Sequence, residues 1–330
     1  MRVSTKRSTV PANFHFYDLA PAPTDVAREV REGLAQEPKM LPPKLLYDER
    51  GAELFVQILE QPEYYVPDRE RAIMAEHLPA ICAELGERVR ILEPGAGDCA
   101  KIRPLLGHCS QVEVYVPLEI SGEMLQTTAQ EVAEAFPEVA VHAVCADYLS
   151  GLQWPAELPG AELTTVLFMP GSSIGNYPRE EAQAVLRWFR QLVGPQGKLL
   201  IGVDTLKSPE LLIPAYDDAA GVTAAFSMNV LHRLRNELGI DLDPNDFHHE
   251  AIFNEAKSCI EMRVVADRHV RFRFEGRTYD IPAGDYIHTE SSYKYPPEAF
   301  GELAHKAGFG HQRVWTDPEE MFAVHLFDAK

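Results

Sequence analysis

From Arg88 onward the apolar positions fall into short runs of strand length separated by stretches of helical length, the pattern of a parallel sheet joined by crossover helices. Residues 89–93, 112–118, 139–145, 164–169 and 198–203 predict strands, and 122–136 and 179–192 predict helices, the second closed by the turn Gly194-Pro195-Gln196-Gly197. Strands in this order make an open, doubly wound α/β sheet whose ligand site lies off the carboxyl ends of the strands.

The flanking segments read differently. Residues 1–24 carry prolines and no sustained periodicity and predict an arm. The folded part is expected to begin near Thr24, with a capped amphipathic helix over 24–36, a proline-bounded loop over 38–43 and a helical stretch over 52–59, all ahead of any strand. After Asp204 the alternation stops. Residues 205–240 predict helix broken at Pro214, and strands follow at 260–266, 269–274 and 278–281, the last two joined by a turn at Glu275-Gly276. The end returns to a helix over 297–307, a Gly308-Phe309-Gly310 stop, and strands over 311–316 and 322–327 that complete the sheet. The expected division is an arm (1–24), a helical segment contributing to the site (25–69), the sheet core (70–204), an inserted α+β block folding over the strand ends (205–293), and a C-terminal helix and strands (294–330).

Composition narrows the class. Thirty-one basic against fifty acidic residues give a net charge of −19, which opposes a phosphate backbone or an anionic membrane surface, and no local basic patch offsets it. No apolar run approaches the roughly 18 residues of a membrane span, so a cytoplasmic protein is expected, without nucleic-acid or membrane partners. Cys82, Cys99, Cys109, Cys145 and Cys259 contain no C-x-x-C pair and the histidines lack metal-ligand spacing, so reduced thiols and no metal site are expected.

The first strand ends in Glu93-Pro94-Gly95-Ala96-Gly97-Asp98-Cys99-Ala100. Glycines there let a ligand approach the backbone, and the next helix is expected to offer free N–H groups. Glu119 ends the second strand, at the offset where a carboxylate commonly accepts hydrogen bonds from ribose hydroxyls. Gly95, Gly97 and Ala100 match G-x-G-x-x-[GA], so an NAD-dependent oxidoreductase is one reading. Glu93, Asp98 and Asp147 favour another, because a ring of carboxylates repels a pyrophosphate and attracts a phosphate-free nucleoside carrying a cationic sulfonium, S-adenosylmethionine.

Five strings narrow the reading further: Leu41-Pro42-Pro43-Lys44-Leu45-Leu46-Tyr47-Asp48, Gln61-Pro62-Glu63-Tyr64-Tyr65, Gly171-Ser172-Ser173-Ile174-Gly175-Asn176, the stretch from Ala215-Tyr216 to Ala225-Phe226, and Thr289-Glu290-Ser291-Ser292. Together they closely resemble the L-histidine Nα-methyltransferases of ergothioneine biosynthesis, which trimethylate the α-amine of histidine to hercynine with S-adenosylmethionine. The resemblance implies a Rossmann-like methyltransferase sheet with an inserted α+β substrate-binding domain. It implies cofactor contacts at Tyr47, Gly95, Lys101, Glu119, Asp147 and Tyr148, and substrate contacts at Tyr64, Asn176, Tyr216, Met262, Glu290 and Ser292. A related amino-acid or indole-alkaloid N-methyltransferase is the neighbouring alternative. This chain departs from the family pattern at Glu119, where aspartate is usual, at Asp98-Cys99, where the loop is usually hydroxyl-rich, and at Pro170, which has no counterpart.

Methyl transfer from a sulfonium is an in-line displacement that needs a neutral amine, alignment and little water. On the resemblance, Tyr47, Tyr64 and Asn176 are the expected catalytic groups, holding the neutral amine while solvent takes the proton. Asn176 and Tyr216 are expected on the substrate carboxylate, Met262 as an apolar wall, and Glu290 and Ser292 on the imidazole, since positions 290 and 292 of an extended segment face the same way. A monomer acting on a small molecule, L-histidine, is the expected working form.

Overall fold

The computed structural model describes residues 10–21, 25–148, 154–155, 158–160 and 162–330, with only the backbone of residues 311 and 312. The strands are β1 (Phe14–Asp18), β2 (Lys39–Met40), β3 (Val89–Pro94), β4 (Val112–Glu119), β5 (Ala140–Cys145), β6 (Thr164–Met169), β7 (Lys198–Asp204), β8 (Phe247–Asn254), β9 (Cys259–Ala266), β10 (Val270–Phe274), β11 (Arg277–Ile281), β12 (Tyr286–Tyr293), β13 (Phe309–Thr316) and β14 (Phe322–Ala329). The helices are α1 (Val26–Leu34), α2 (Glu49–Ile58), α3 (Val66–Leu85), α4 (Arg103–His108), α5 (Gly122–Ala135), α6 (Arg179–Val193), α7 (Pro209–Leu212), α8 (Val222–Leu238) and α9 (Pro297–Lys306).

Among the described residues the main sheet runs β1-β5-β4-β3-β6-β7-β14-β13. Strands β5-β4-β3-β6-β7 are parallel and are the five predicted from the apolar runs, while β14 is antiparallel to β7 and β13 to β14. The order reverses between β3 and β6, which makes their carboxyl ends the switch point where an α/β sheet opens a crevice. These strands are buried on both faces, which is why they read as continuous apolar runs rather than alternating ones. One face carries the core of α3, α4 and α5, including Ile73, Leu105, Tyr115 and Leu125. The other carries that of α6 and α9, including Leu186, Phe189, Phe300 and Phe327. Burying side chains of this size stabilises the fold by about 1.5–3 kcal/mol each.

Over the strand ends lies a second layer, the sheet β2-β12-β9-β8. β12 pairs with β2 and β9, so the predicted inserted block draws in the segment before the core. Val30, Leu34, Leu45 and Leu54 share one apolar cluster with Phe226, Leu231, Val264 and Ile287. Asn229 Nδ2 donates to Asp48 at 2.7 Å and Arg233 to the Leu45 carbonyl at 2.7 Å, which ties α8 to α2 and to the 3-10 turn Pro43–Leu46. The hairpin β10–β11 turns at Glu275 and Gly276, both in the left-handed region as a tight connection requires.

Three expectations are corrected, and one element appears that the sequence reading lacks. Part of the arm is structured: Phe14–Asp18 forms an edge strand parallel to β5, with Phe14 and Phe16 set against α5. Residues 1–9 and 22–24, including the expected start at Thr24, lie outside the described residues; the cap of α1 is Asp25, which accepts from Arg28 N. Helix α3, unpredicted, is the longest described. Pro67 sits in its first turn, where no donor is lost, and Val66, Glu70, Ile73, Met74, Ile81, Cys82 and Leu85 form its buried face at helical spacing. Finally, α3 and the end of α4 bring Cys82 and Cys109 together as a disulfide with Cα atoms 5.3 Å apart, where reduced thiols were expected. Spacing along the chain cannot reveal a pair brought together by packing.

Candidate functional site

The carboxyl ends of β3, β4 and β5 frame the first half of the site. The loop after β3 folds back on β4, with Gly95 N and Ala96 N donating to the Leu118 carbonyl at 2.8 and 3.1 Å. Gly95 and Gly97 both have positive φ, and a Cβ added at either would meet nothing within 4 Å. The backbone there is left-handed and uncovered, as close approach of a ligand requires. Glu119 accepts from Gly97 N at 3.2 Å and Ile120 N at 2.8 Å, which aims its carboxylate beside the loop with acceptor capacity to spare. Asp147 lies exposed just beyond β5. These groups fit an adenosine-type ligand: open glycine backbone and a held carboxylate at the second strand end.

Two details differ from expectation. The helix after the loop starts only at Arg103 and spans six residues, while Ala100 N is capped by Asp98 at 3.0 Å, so side chains rather than a ligand take part of the N–H set. Glu93 does not add to the negative lining. It is 2% exposed, accepts from Tyr115 Oη at 2.5 Å, and burial pushes its carboxyl up to about 8, so it is largely neutral at physiological pH. The negative field at the loop therefore comes from Glu119, Asp98 and Asp147.

The second half is a cleft of about 620 Å³, part of it open to solvent, between the β6 end and the upper sheet. Phe55, Ile58, Val66, Ala215 and Met262 supply apolar wall, and Tyr64, Asn176, Tyr216, Thr223, Glu290 and Ser292 supply polar groups. All six sequence-predicted substrate contacts thus line one cavity. Glu290 and Met262 are cross-strand partners on β12 and β9, after a bulge between His288 and Glu290 that Thr289 fills by donating to the Met262 carbonyl at 3.0 Å. Asp218 caps α8, accepting from Val222 N at 2.9 Å and Thr223 N at 2.7 Å, and His249 Nε2 meets the Tyr216 carbonyl at 2.9 Å. Together they fix the string that carries Tyr216.

Asn176 closes the 3-10 turn Ser173–Asn176, entered through Gly171 and Ser172 at positive φ. Its Nδ2 donates to Glu290 Oε1 at 3.1 Å. A Cβ at Gly175 would stand 2.8 Å from the Tyr293 carbonyl, so only glycine lets this turn lie against β12. Pro170 precedes the turn without breaking that contact. Glu290 is 7% exposed, and burial raises its carboxyl to about 7 against the opposing pull of Lys294.

Tyr64 meets Tyr216 edge to face at 5.9 Å between ring centroids. Burial holds both phenols well above their ordinary range, so neither serves as a base near pH 7. Tyr47 follows the Pro43–Leu46 turn, edge-on to Phe55 at 5.5 Å and Phe226 at 5.3 Å, and is 42% exposed. Protein crowding around its hydroxyl, then Glu290, Tyr64 and Tyr216, keep that phenol protonated too. Lys101 reaches from the glycine loop to Glu70 Oε2 at 3.2 Å, and Glu70 Oε1 accepts from Gly171 N at 2.7 Å. One buried carboxylate so joins the two halves. Tyr148, beyond β5, packs toward α6, where its carbonyl accepts from Trp188 Nε1 at 2.8 Å; residues 149–153 lie outside the described residues.

Sequence reasoning missed the groups behind the cleft. Asp204, at the end of β7, accepts from Lys294 and Lys207 at 2.6 Å each and from Tyr65 Oη at 2.8 Å. Lys294 also donates to Tyr216 Oη and Ser292 Oγ. The alternation that joins 290 to 292 continues to 294 and carried this signal.

A family model described as histidine-specific methyltransferase, SAM-dependent, matches residues 26–329. The chain is similar to the histidine N-alpha-methyltransferase of Mycolicibacterium smegmatis, 36% identical over 305 residues that span 91% of this chain and 93% of the relative. It is also similar to that of Mycobacterium tuberculosis, 37% identical over 307 residues, with 91% and 93% covered. With ergothioneine biosynthesis protein 1 of Neurospora crassa it shares 31% identity over 301 residues, 88% of this chain but 33% of that longer protein.

Proposed function

The chain belongs to the family of SAM-dependent, histidine-specific methyltransferases, and from that premise we propose that it methylates the α-amine of L-histidine three times, giving hercynine. Family membership sets aside the nicotinamide dinucleotide reading of the Gly95 loop. The observation that best supports the substrate assignment is the meeting of Asn176 with Glu290 at 3.1 Å, in a cleft whose remaining polar groups are hydroxyls. That set suits an amino acid whose side chain offers an N–H.

Gly95, Glu119 and Asp147 hold the cofactor in this reading, with Tyr47, Lys101 and Tyr148 around it. When bound, S-adenosylmethionine supplies a methyl group on a sulfonium, which an unprotonated nitrogen displaces. The α-amine is mostly protonated at neutral pH, so the protein must favour the free base. Tyr47 and Tyr64, held neutral, accept hydrogen bonds from the amine N–H groups and leave its lone pair aimed outward. No buried base is needed, and solvent at the open side of the cleft takes the proton. Asn176 and Tyr216 meet the substrate carboxylate as neutral donors, Glu290 and Ser292 meet the ring, and Met262 packs beside it. No described helix is long and apolar enough to cross a membrane.

Purified protein incubated with methyl-labelled S-adenosylmethionine and the twenty amino acids should yield, by mass spectrometry, histidine carrying three labelled methyl groups. Absence of label on histidine overturns the reading. A pH test follows from Glu290, whose raised carboxyl ionises around pH 7. The ionised form accepts the ring N–H, so histidine affinity, measured calorimetrically with S-adenosylhomocysteine present, should weaken as pH falls from 8 to 6. Glu290→Gln should leave a shallower dependence, the part set by the α-amine and the imidazole of histidine itself. A Glu290→Gln profile as steep as the native one would take Glu290 off the ring.

A further inference from the structure

Glu70 lies on the buried face of α3, 6% exposed, and its two carboxylate oxygens serve different halves of the site. Oε1 accepts from Gly171 N at 2.7 Å, and Oε2 takes the Lys101 ammonium at 3.2 Å. The surrounding chain leaves room for this pairing: a Cβ at Gly202 on β7 would collide with Glu70 Oε1, and one at Gly171 with Lys101 Nζ. Gly171, at positive φ, opens the turn that ends in Asn176. Three contacts hold that turn: Gly175 lies against β12, Ser172 Oγ accepts from Asp204 N at 2.9 Å, and Gly171 N donates to Glu70. The third alone leads to the cofactor side, because Lys101 stands just beyond the glycine loop, its side chain 43% exposed. S-adenosylmethionine has one anionic group, its carboxylate, and an exposed ammonium beside the loop is the chemistry that meets it. An ammonium has three N–H donors, so Lys101 can hold Glu70 and that carboxylate together.

We propose that Glu70 is a positioning residue that couples the two ligands: a cofactor carboxylate on Lys101 fixes the ion pair, the ion pair fixes Gly171, and the turn then presents Asn176 to the amino acid already ordered. The inference rests on the functional reading given above and deepens it. Its sign follows from entropy, since the first ligand immobilises the carboxylate bridge and the second finds it immobilised. Linkage makes the effect reciprocal, so the cofactor strengthens histidine by the same factor as histidine strengthens the cofactor. The bridge needs a carboxylate, which has an acceptor at both ends. A glutamine amide has an acceptor at one end, and whichever way it turns it serves Gly171 or Lys101 but not both.

The test is calorimetric affinity for histidine with and without saturating S-adenosylhomocysteine, which carries the carboxylate but no methyl group to transfer. In the native enzyme S-adenosylhomocysteine should tighten histidine binding by about fivefold or more, whereas 5′-methylthioadenosine, the same nucleoside thioether without the amino-acid end, should change it by less than about twofold. Glu70→Gln should bring the effect of S-adenosylhomocysteine below about twofold as well. A merely structural role for Glu70 would weaken each ligand alone and leave that ratio at its native value. A native ratio near one overturns the proposal without any variant. An equal effect of 5′-methylthioadenosine, or a folded Glu70→Gln that keeps the native ratio, overturns it too. Where Glu70→Gln unfolds the chain, Lys101→Met breaks the same bridge at an exposed position and carries the same expectation, with S-adenosylhomocysteine raised to saturation. Native enzyme that methylates histidine without this coupling sinks the Glu70 role alone, whereas native enzyme that neither binds nor methylates histidine sinks the functional reading with it.

Discussion

Asn176→Ala is expected to lower kcat/KM for histidine roughly a hundredfold, on the order of 2.7 kcal/mol at the transition state. The substitution removes the amide donor assigned to the substrate carboxylate and leaves Glu290 Oε1 without its partner at 3.1 Å. Two losses therefore coincide: one contact that aligns the amino acid, and one that keeps the buried carboxyl in place. Because Asn176 sits on the substrate side of the cleft, affinity for S-adenosylhomocysteine should change little. Steady-state kinetics with calorimetry checks both halves, and kcat/KM within about threefold of the native value would remove Asn176 from its role.

Glu290→Ala is expected to act on selectivity more than on chemistry. Losing the ring acceptor should lower kcat/KM for histidine by about ten- to a hundredfold. It also vacates space beside Met262, its partner across β12 and β9, and takes a buried carboxylate out of the cleft. Phenylalanine and tryptophan should then gain on histidine by about tenfold or more in a competition assay read by mass spectrometry. An unaltered ranking of the amino acids would put the selectivity elsewhere.

Much of this architecture was legible along the chain. The five parallel strands, with helices such as α5 and α6 between them, appear within a residue or two of where the apolar runs predict them, because strands buried on both faces leave an unbroken signal. The glycine loop and Glu119 follow from strand ends, and the Glu275-Gly276 turn from local conformation. Illegible elements share a physical cause. Helix α3 was hidden because Glu70 occupies a position on its buried stripe, where it holds Gly171 and Lys101. Strand β12 was hidden because Thr289, Glu290, Ser291 and Ser292 are polar, yet buried between β2 and β9. Polar residues paid into a site in this way erase the hydrophobic pattern that marks an element.

The sequence by itself therefore determined the sheet, the placing of a ligand loop at its carboxyl edge, and the resemblance that names the chemistry, because each rests on local periodicity or on contiguous strings. Only the tertiary structure decided that the segment before the core joins the inserted block in one layer, and that Cys82 meets Cys109. It also decided that Glu93 is withdrawn from the loop's charge, and that Lys294, Asp204, Lys207 and Tyr65 form one buried network behind the cleft. Those features depend on which distant groups share a low-dielectric interior, and burial and pairing there are properties of packing that no window along the chain contains.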